Sequence, residues 1–466
     1  MFSDMSQHFD FLVLGGGSAG YASARTAREF CDRVAIVDGS GELGGLCILQ
    51  GCMPSKTLIY STEVLHLAKQ GEKFGLRVAG AEVDMAALQA RKRHWVADFA
   101  DYRREQLESE RFTLFRQNGR FIGPQEIELD DGTRIRADRI MVATGSVVNV
   151  PPVPGLAEVP SWTSDDVLGL ESVPESVLVL GGGIIACELG QFLARAGSRV
   201  TLIQRGDHIL REAGAPAARV IEQAFRDEGM EVFTGTGIQG IKNTALGVQV
   251  AFTHDGRTET REASHLLNAL GRQPNTGGLN LAAAGVQAGP RGHLLHDEWQ
   301  QTSQAGIYTG GDCAGPAELV HIAVRQGETA ARHAFGQDPP PLRYDALMTV
   351  VFTDPQVAWV GLREDESRAR ELDPVVEEYP FEDHGKSLLM EAPRGYVKVI
   401  ADRSSGRIVG AECVGKDASE LIHALTVPVA VGLTPAQCME ADWYHPTLAE
   451  IWTYPLEELA DKFAAG

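Results

Sequence analysis

The sequence predicts an α/β chain that carries one strand–turn–helix unit twice and ends in a separate α+β domain. Three observations predict it. The apolar run Phe11-Leu12-Val13-Leu14 passes at once into Gly15-Gly16-Gly17-Ser18-Ala19-Gly20 and a helix-like segment from Tyr21 to Phe30. Leu178-Val179-Leu180-Gly181-Gly182-Gly183 repeats that pattern, and a helical segment to Ala196 follows. After Pro339-Pro340-Pro341 the composition changes: residues 350–352, 396–400 and 408–414 read as strands, the last two joined by Asp402-Arg403-Ser404-Ser405-Gly406. Strands that feed glycine turns and helices belong to parallel sheets, and the late run of strands belongs to an antiparallel one.

A chain of 466 residues is too long for one ordinary core, so two to four domains are expected. Its 51 glycines and 44% apolar content suit a compact protein with many tight turns rather than a disordered one. The formal charge of −21 argues against nucleic acid or anionic membrane as partner. It leaves small anionic ligands open, because these read the local field. No apolar run approaches the length of a membrane span. The first ten residues lack a basic region followed by an apolar core, so no export signal is expected and the expected compartment is the cytoplasm. Seven cysteines in such a chain argue against a disulfide scaffold; a cytosolic disulfide is usually catalytic or redox-sensing.

In chain order, Gly15, Gly17 and Gly20 fit the dinucleotide fingerprint: tight turn, close approach of backbone to pyrophosphate, close helix packing. The next apolar run, residues 34–37, ends in Asp38, the right type and distance for a ribose hydroxyl pair. Then comes Gly44-Gly45-Leu46-Cys47-Ile48-Leu49-Gln50-Gly51-Cys52-Met53-Pro54-Ser55-Lys56. Thiols so near in sequence can close a disulfide at little loop-closure cost. Pro54 suits a first helical turn. A helix starting there favours a Cys52 thiolate, typically by about 0.3–1 kcal/mol. Two buried, inert cysteines are the alternative at this point. Residues 57–118 read as helices, with Trp95, Phe99 and Tyr102 at core spacing. Alternation from Phe121 to Val142 around Asp130-Asp131-Gly132-Thr133 reads as a hairpin leading into Ala143-Thr144-Gly145, and the proline-rich residues 150–154 read as a domain crossing. The second unit adds a strand over 199–203 and closes at Leu266-Leu267-Asn268-Ala269-Leu270-Gly271. Two units imply two dinucleotides, or one and a degenerate copy. Residues 306–313 form another strand ending in Gly310-Gly311-Asp312, and a helix-like stretch runs from Leu319 to Ala334.

Together these elements resemble the pyridine nucleotide–disulfide oxidoreductases, the flavoprotein family of dihydrolipoamide dehydrogenase, glutathione reductase and mercuric reductase. The resemblance covers nearly the whole chain. Its markers are both glycine fingerprints, the Gly-Gly-x-Cys-x4-Cys-x-Pro-Ser-Lys block, Ala143-Thr144-Gly145, Gly271-Arg272-Gln273-Pro274-Asn275, Gly311-Asp312, and His445-Pro446-Thr447 with Glu450. It implies two Rossmann-like domains, for FAD and NAD(P), and a C-terminal α+β dimerisation domain. The implied boundaries are 1–148 and 275–342 for the FAD domain, 149–274 for the NAD(P) domain and 343–466 for the interface domain. FAD falls to the Gly15–Gly20 turn with Gly15, Gly17, Ser18 and Gly20, with Asp38 on its ribose and Asp312 near its ribityl or pyrophosphate region; Gly45, Lys56, Thr144, Gly145, Gly271, Arg272 and Gly311 complete the implied cofactor-binding set. Cys52 matches the thiol against the flavin, a charge-transfer thiolate, and Cys47 the thiol that exchanges with substrate. Lys56 and Glu188 match a charged pair beside the flavin. His445, supplied by the other subunit of a homodimer, matches the acid–base residue, with Glu450 holding its imidazole. No metal is expected.

The second fingerprint, Gly181, Gly183 and Ala186, departs from the NAD form at its last position. Where NAD binders place a carboxylate, the sequence has Gln204-Arg205, and Arg211 follows. A 2′-phosphate needs cations and is repelled by a carboxylate, so NADP(H) is expected over NAD(H), although Asp207 could offset one charge. The ending His445-Pro446-Thr447-Leu448-Ala449-Glu450 looks like that of dihydrolipoamide dehydrogenase, while Trp443 and Tyr444 depart from its usual small residue. Mercuric reductase needs a further cysteine pair at the C-terminus, and the last cysteine is Cys438. The expected activity is therefore dihydrolipoamide dehydrogenase-like, with a protein-bound or small disulfide or dithiol as substrate. An NADPH-dependent reductase of a small disulfide such as glutathione disulfide is the alternative. An NAD(P)H oxidase or quinone-type flavoprotein that leaves the thiols idle is a further one.

Overall fold

The computed structural model describes residues 7–465. They form two compact units: one comprises residues up to Thr57, Ala87–Asn149 and Gly271–Arg343, the other Leu58–Ala86, Val150–Leu270 and the chain from Tyr344 on.

The first unit is built on a sheet whose strands lie in the order Thr113–Phe115, Val34–Val37, Gln7–Leu14, Arg134–Val142, Glu126–Leu129 and Gly119–Gly123. Ile307–Thr309 pairs with the end of Arg134–Val142. Strands joined through helices are parallel, and the expected hairpin over 121–142 supplies the antiparallel edge. Period-two alternation divides the central strand between two cores. Leu12 and Leu14 pack with Phe121, Ile127 and Ile140 on one face; Phe11 and Val13 pack with Ala19, Ala24, Ala323 and Ala330 on the other.

That second core lies where helix Ser18–Ala27 crosses helix Val320–Ala334. The crossing is too close for larger residues: a Cβ on Gly327 would stand 2.3 Å from the Ala19 carbonyl oxygen.

The second unit holds a parallel sheet in the order Glu231–Phe233, Arg199–Ile203, Ser176–Leu180, His265–Asn268, flanked by helix Ile184–Ala196. A three-stranded antiparallel sheet over 237–263 is inserted between its strands Glu231–Phe233 and His265–Asn268 in sequence. The C-terminal part is a five-stranded antiparallel sheet, Met348–Val351, Gln356–Gly361, Ile408–Gly415, Tyr396–Asp402, Pro374–Pro380, packed against helices around the fully buried Trp452. This is the α/β architecture with a C-terminal α+β portion expected from sequence. No helix among the described residues is long and apolar enough to cross a membrane.

One expectation is overturned. Trp95, Phe99 and Tyr102 lie on helix Met85–Leu107 but are 43%, 36% and 64% exposed, not core. Their spacing defines one apolar stripe, and periodicity cannot tell whether a neighbour from the same chain covers it.

Candidate redox and nucleotide sites

The three glycines of the first fingerprint answer three different constraints. Gly15 has φ +99°, and a Cβ there would meet the Ala143 carbonyl oxygen at 2.3 Å. A Cβ on Gly20 would lie 1.8 Å from the Gly15 oxygen, so strand and helix meet only without it. Gly17 faces open space and is the N-cap of helix Ser18–Ala27, with no side chain capping the turn. Its backbone N–H groups are thus presented to an anion. Asp38 is buried: Oδ2 accepts the Gly16 N–H at 2.7 Å and Oδ1 accepts the N–H and hydroxyl of Ser40 at 2.9 and 2.5 Å. A carboxylate has about four acceptor sites, so it can brace the glycine turn and still take a ribose hydroxyl.

Around this turn the unit gathers the other residues singled out in sequence. The Asp312 carboxylate accepts the Ser146 hydroxyl proton at 2.6 Å, and Arg272 donates to Ser146 Oγ and its carbonyl, each at 2.8 Å. The Asn275 N–H bonds the Gly145 carbonyl at 2.9 Å. Gln326, buried, accepts the Gly311 N–H at 2.7 Å. Ser146 and Gln326 were not singled out in sequence, because a serine after Thr144-Gly145 and a glutamine inside a helix carry no local signal. The Thr144 hydroxyl oxygen is buried without a hydrogen-bond partner. An open glycine at an uncapped helix start, an orphaned hydroxyl and a ribose-type carboxylate form a donor set that fits FAD.

The cysteine block abuts the same turn. Gly45, φ +74°, lies so close that a Cβ on it would be 2.8 Å from the Gly17 Cα. A short helix Leu46–Leu49 carries Cys47, and Cys52 begins helix Cys52–Lys69. Gly51 brings them together: a Cβ there would meet Leu46 O at 2.9 Å and the Cys47 Cα at 3.1 Å. Both cysteines are free thiols. The half-buried Cys47 S–H donates to Cys52, which is exposed. That hydrogen bond, then burial, holds the Cys47 thiol far above its ordinary value, while Lys56 one turn on acts the other way. The first negative charge of the pair therefore rests on Cys52, at the positive end of a helix.

The second fingerprint repeats the first. Gly181 has φ +109°, and a Cβ there would meet the Ala269 oxygen at 2.4 Å; Gly183 faces open space as the uncapped start of helix Ile184–Ala196; Ala186 is fully buried. Gln204 covers Gly182, 3.0 Å from where a Cβ would be. Leu210, in the left-handed region, donates its N–H to the Gly182 oxygen at 2.7 Å, which brings Arg211 to the glycine turn. Arg205 and Arg211 are exposed. Among the described residues Asp207 pairs with neither.

On the same helix, Glu188 is buried and its Oε1 accepts the Phe352 N–H at 2.9 Å. One turn on, Gln191 exchanges two 2.8 Å bonds with the Asp354 backbone. Arg195 binds Glu228 at 2.6 and 2.8 Å and the Asp354 carboxylate at 2.9 Å. Lys56 belongs to the first unit and Glu188 to the second.

His445 projects with 81% of its side chain exposed, its Nδ1 held by Glu450 at 2.9 and 3.0 Å. The bond assigns the proton to Nδ1 and leaves the Nε2 lone pair available on the exposed side chain. A second imidazole, absent from the sequence-based set, meets the same carboxylate. His384 is 1% exposed, its Nδ1 is 2.8 Å from the Ser387 hydroxyl, and its Nε2 lies 3.6 Å from Glu450 Oε1. Burial lowers its pKa and Glu450 opposes that shift.

Comparison with known proteins gives a consistent picture. Residues 9–327 match the family model described as pyridine nucleotide-disulphide oxidoreductase, and residues 347–455 match its dimerisation domain. Mercuric reductase from Bacillus cereus is 32% identical over 443 residues, 95% of this chain and 70% of that protein. Dihydrolipoyl dehydrogenase from Chlamydia pneumoniae is 32% identical over 451 residues, 96% of each. The crystal structure of LpdA from Mycobacterium tuberculosis superposes with a TM-score of 0.86 at 29% identity, covering 97% of this chain and 99% of that one. The HOCl-induced flavoprotein disulfide reductase RclA from Escherichia coli, at 24% identity and TM-score 0.84 over 96% and 99%, shares the fold.

Proposed function

The chain belongs to the pyridine nucleotide-disulphide oxidoreductase family, an FAD- and pyridine nucleotide-dependent class of oxidoreductases; from that premise we propose that it moves electron pairs between NAD(P)H and a disulfide or dithiol through the Cys47–Cys52 couple. The observation that carries this is the Cys47 S–H donating to Cys52 beside the Gly15–Gly20 turn. FAD, when bound, supplies the two-electron relay between nicotinamide and this couple. Gly17, Ser18, Asp38 and Thr144 hold it, with Asp312 positioned through Ser146.

In the reducing direction the partner subunit's His445 takes the Cys47 proton at Nε2 as the sulfur attacks one sulfur of the substrate disulfide, forming a mixed disulfide and expelling the first thiolate. The partner subunit's His445 protonates that leaving group from Nε2, while Glu450 keeps the imidazole in one tautomer. The Cys52 thiolate then attacks Cys47, closing the Cys47–Cys52 disulfide and expelling the second thiolate. Substrate has gained two electrons and two protons, one from Cys47 by way of His445 and one from solvent at the second thiolate; the cysteine pair has lost two electrons and the Cys47 proton. A homodimer sharing its sites is in keeping with the dimerisation domain and with the exposure of His445. Breaks between the compact units after residues 149, 270 and 343 fall near boundaries at 148, 274 and 342, while Leu58–Ala86 groups with the second unit, which also holds both Val150–Leu270 and the chain from Tyr344 on.

Arg205 and Arg211, exposed beside the second glycine turn and without a carboxylate partner among the described residues, support NADP(H) as the nucleotide. With NADPH as donor, a reductase of a small disulfide is favoured over a dihydrolipoamide dehydrogenase working on NAD. Anaerobic titration of the holoenzyme with NADPH and NADH separately, with thiols counted after each, tests this. Two new thiols per subunit, appearing with NADPH and lost in Cys47→Ser, support it; reduction without new thiols overturns it in favour of the oxidase or quinone-type reading.

A further inference from the structure

Arg103 is a half-buried cation with no ion-pair partner among the described residues. It lies on helix Met85–Leu107, its guanidinium carbon 4.2 Å from the centroid of the Tyr21 ring. Its Nε is buried and bonds nothing. Tyr21 stands one turn into the first-fingerprint helix, its N–H bonded to the Gly17 oxygen at 2.8 Å. Gly45 packs against the same Gly17, and Cys47 follows two residues on. Arg103 thus lies over the helical turn on which the cysteine block packs through Gly45, and Cys47 is among the groups whose charge acts on it. The neighbouring cations are already matched: Arg25 binds Glu328 at 2.5 Å and Arg104 binds Asp101 at 2.7 Å.

Partial burial opposes a guanidinium charge that this group does not give up, so a bound anion is favoured there. No carboxylate of the described chain supplies one, although the chain carries an excess of 21 negative charges. Tyr21 holds the guanidinium over its ring, and the terminal N–H groups of an arginine can bind a carboxylate at two points.

We propose that Arg103 forms a substrate subsite beside Cys47 and that the substrate is a small disulfide carrying a carboxylate. The inference rests on Cys47 being the exchanging thiol, and it narrows the substrate to an acidic compound rather than a neutral amide. Oxidised lipoate and lipoamide make the test, because they share the dithiolane ring and differ in carboxylate against amide. Steady-state reduction of both is measured with the holoenzyme, Arg103→Leu and Arg103→Lys. The ratio of kcat/KM for lipoate over lipoamide falls about tenfold or more in Arg103→Leu, mainly through KM, and partly recovers in Arg103→Lys. An equal loss on both substrates overturns the proposal and makes Arg103 a residue that tunes the Cys47 thiolate. Loss of FAD from Arg103→Leu, with no change in the ratio, overturns it in favour of a flavin contact. A Cys47→Ser enzyme that still reduces lipoate sinks the underlying thiol-exchange reading, whatever Arg103 does.

Discussion

His384 Nε2 faces Glu450 Oε1 at 3.6 Å, on the carboxylate whose other oxygen lies 2.9 Å from His445. The buried imidazole packs beside the carboxylate that orients the exposed one, its Nε2 too far from it for a hydrogen bond. It is faced by Glu450, the Ser387 hydroxyl and the edge of Tyr454, with the His445 charge acting from beyond Glu450. Its folded pKa lies below the ordinary 6.5, chiefly through burial. A neutral histidine of this kind contributes stability that is fully present above 6.5 and lost as pH falls through the lower folded value. Thermal midpoints at acidic and neutral pH should therefore differ less in His384→Asn than in wild type. An unchanged difference would show that His384 protonates freely in the folded protein.

Removing Cys47 should change Cys52 as well as stop exchange. The Cys47 S–H stabilises a thiolate on Cys52. In Cys47→Ala the Cys52 thiolate should titrate at higher pH than in wild type, and in Cys47→Ser, which keeps a donor, at an intermediate pH. Disulfide turnover should fall by roughly 10³-fold or more in both. Thiolate absorbance against pH is the measurement, and identical titrations in all three proteins would contradict the hydrogen bond.

Nucleotide choice should follow the two exposed arginines. Arg205→Ala with Arg211→Ala removes both cations that flank Gln204 and the Gly182 turn. The ratio of kcat/KM for NADPH over NADH should drop by about tenfold to a hundredfold, with most of the change in KM. A ratio that stays constant would mean that neither arginine meets the 2′-phosphate.

Alanine at two glycines of one turn should give opposite defects. In Gly20→Ala the new Cβ lies 1.8 Å from the Gly15 oxygen, so strand and helix must separate, at a cost of about 1–3 kcal/mol or more. In Gly17→Ala the Cβ meets nothing, and φ is −67°, which suits any residue. Gly17→Ala should keep its thermal midpoint as apoprotein and bind FAD more weakly; Gly20→Ala should lose midpoint even without FAD.

The alternation of Leu12 and Leu14 with Phe11 and Val13, and the glycines after them, made the parallel sheet and its turn legible, because strand period and glycine geometry are local. The cysteine block was legible for the same reason. What escaped is long-range. Ser146 meets Asp312 across 166 positions and Gln326 meets the Gly311 backbone from the middle of a helix. His384 lies far from Glu450 in sequence and sits in a segment with no motif of its own. The stripe of Trp95, Phe99 and Tyr102 was visible, but its exposure depends on neighbours that spacing does not encode.

The polar face of helix Ile184–Ala196 has a consequence for recombining such proteins. Its start presents the second glycine turn, while Glu188, Gln191 and Arg195 are fastened to the backbone and carboxylate of residues 352–354. A chimera that exchanges the nucleotide-binding segment alone would leave these buried groups stranded. The transferable piece is that segment together with the short stretch ending in Asp354 that its helix grips.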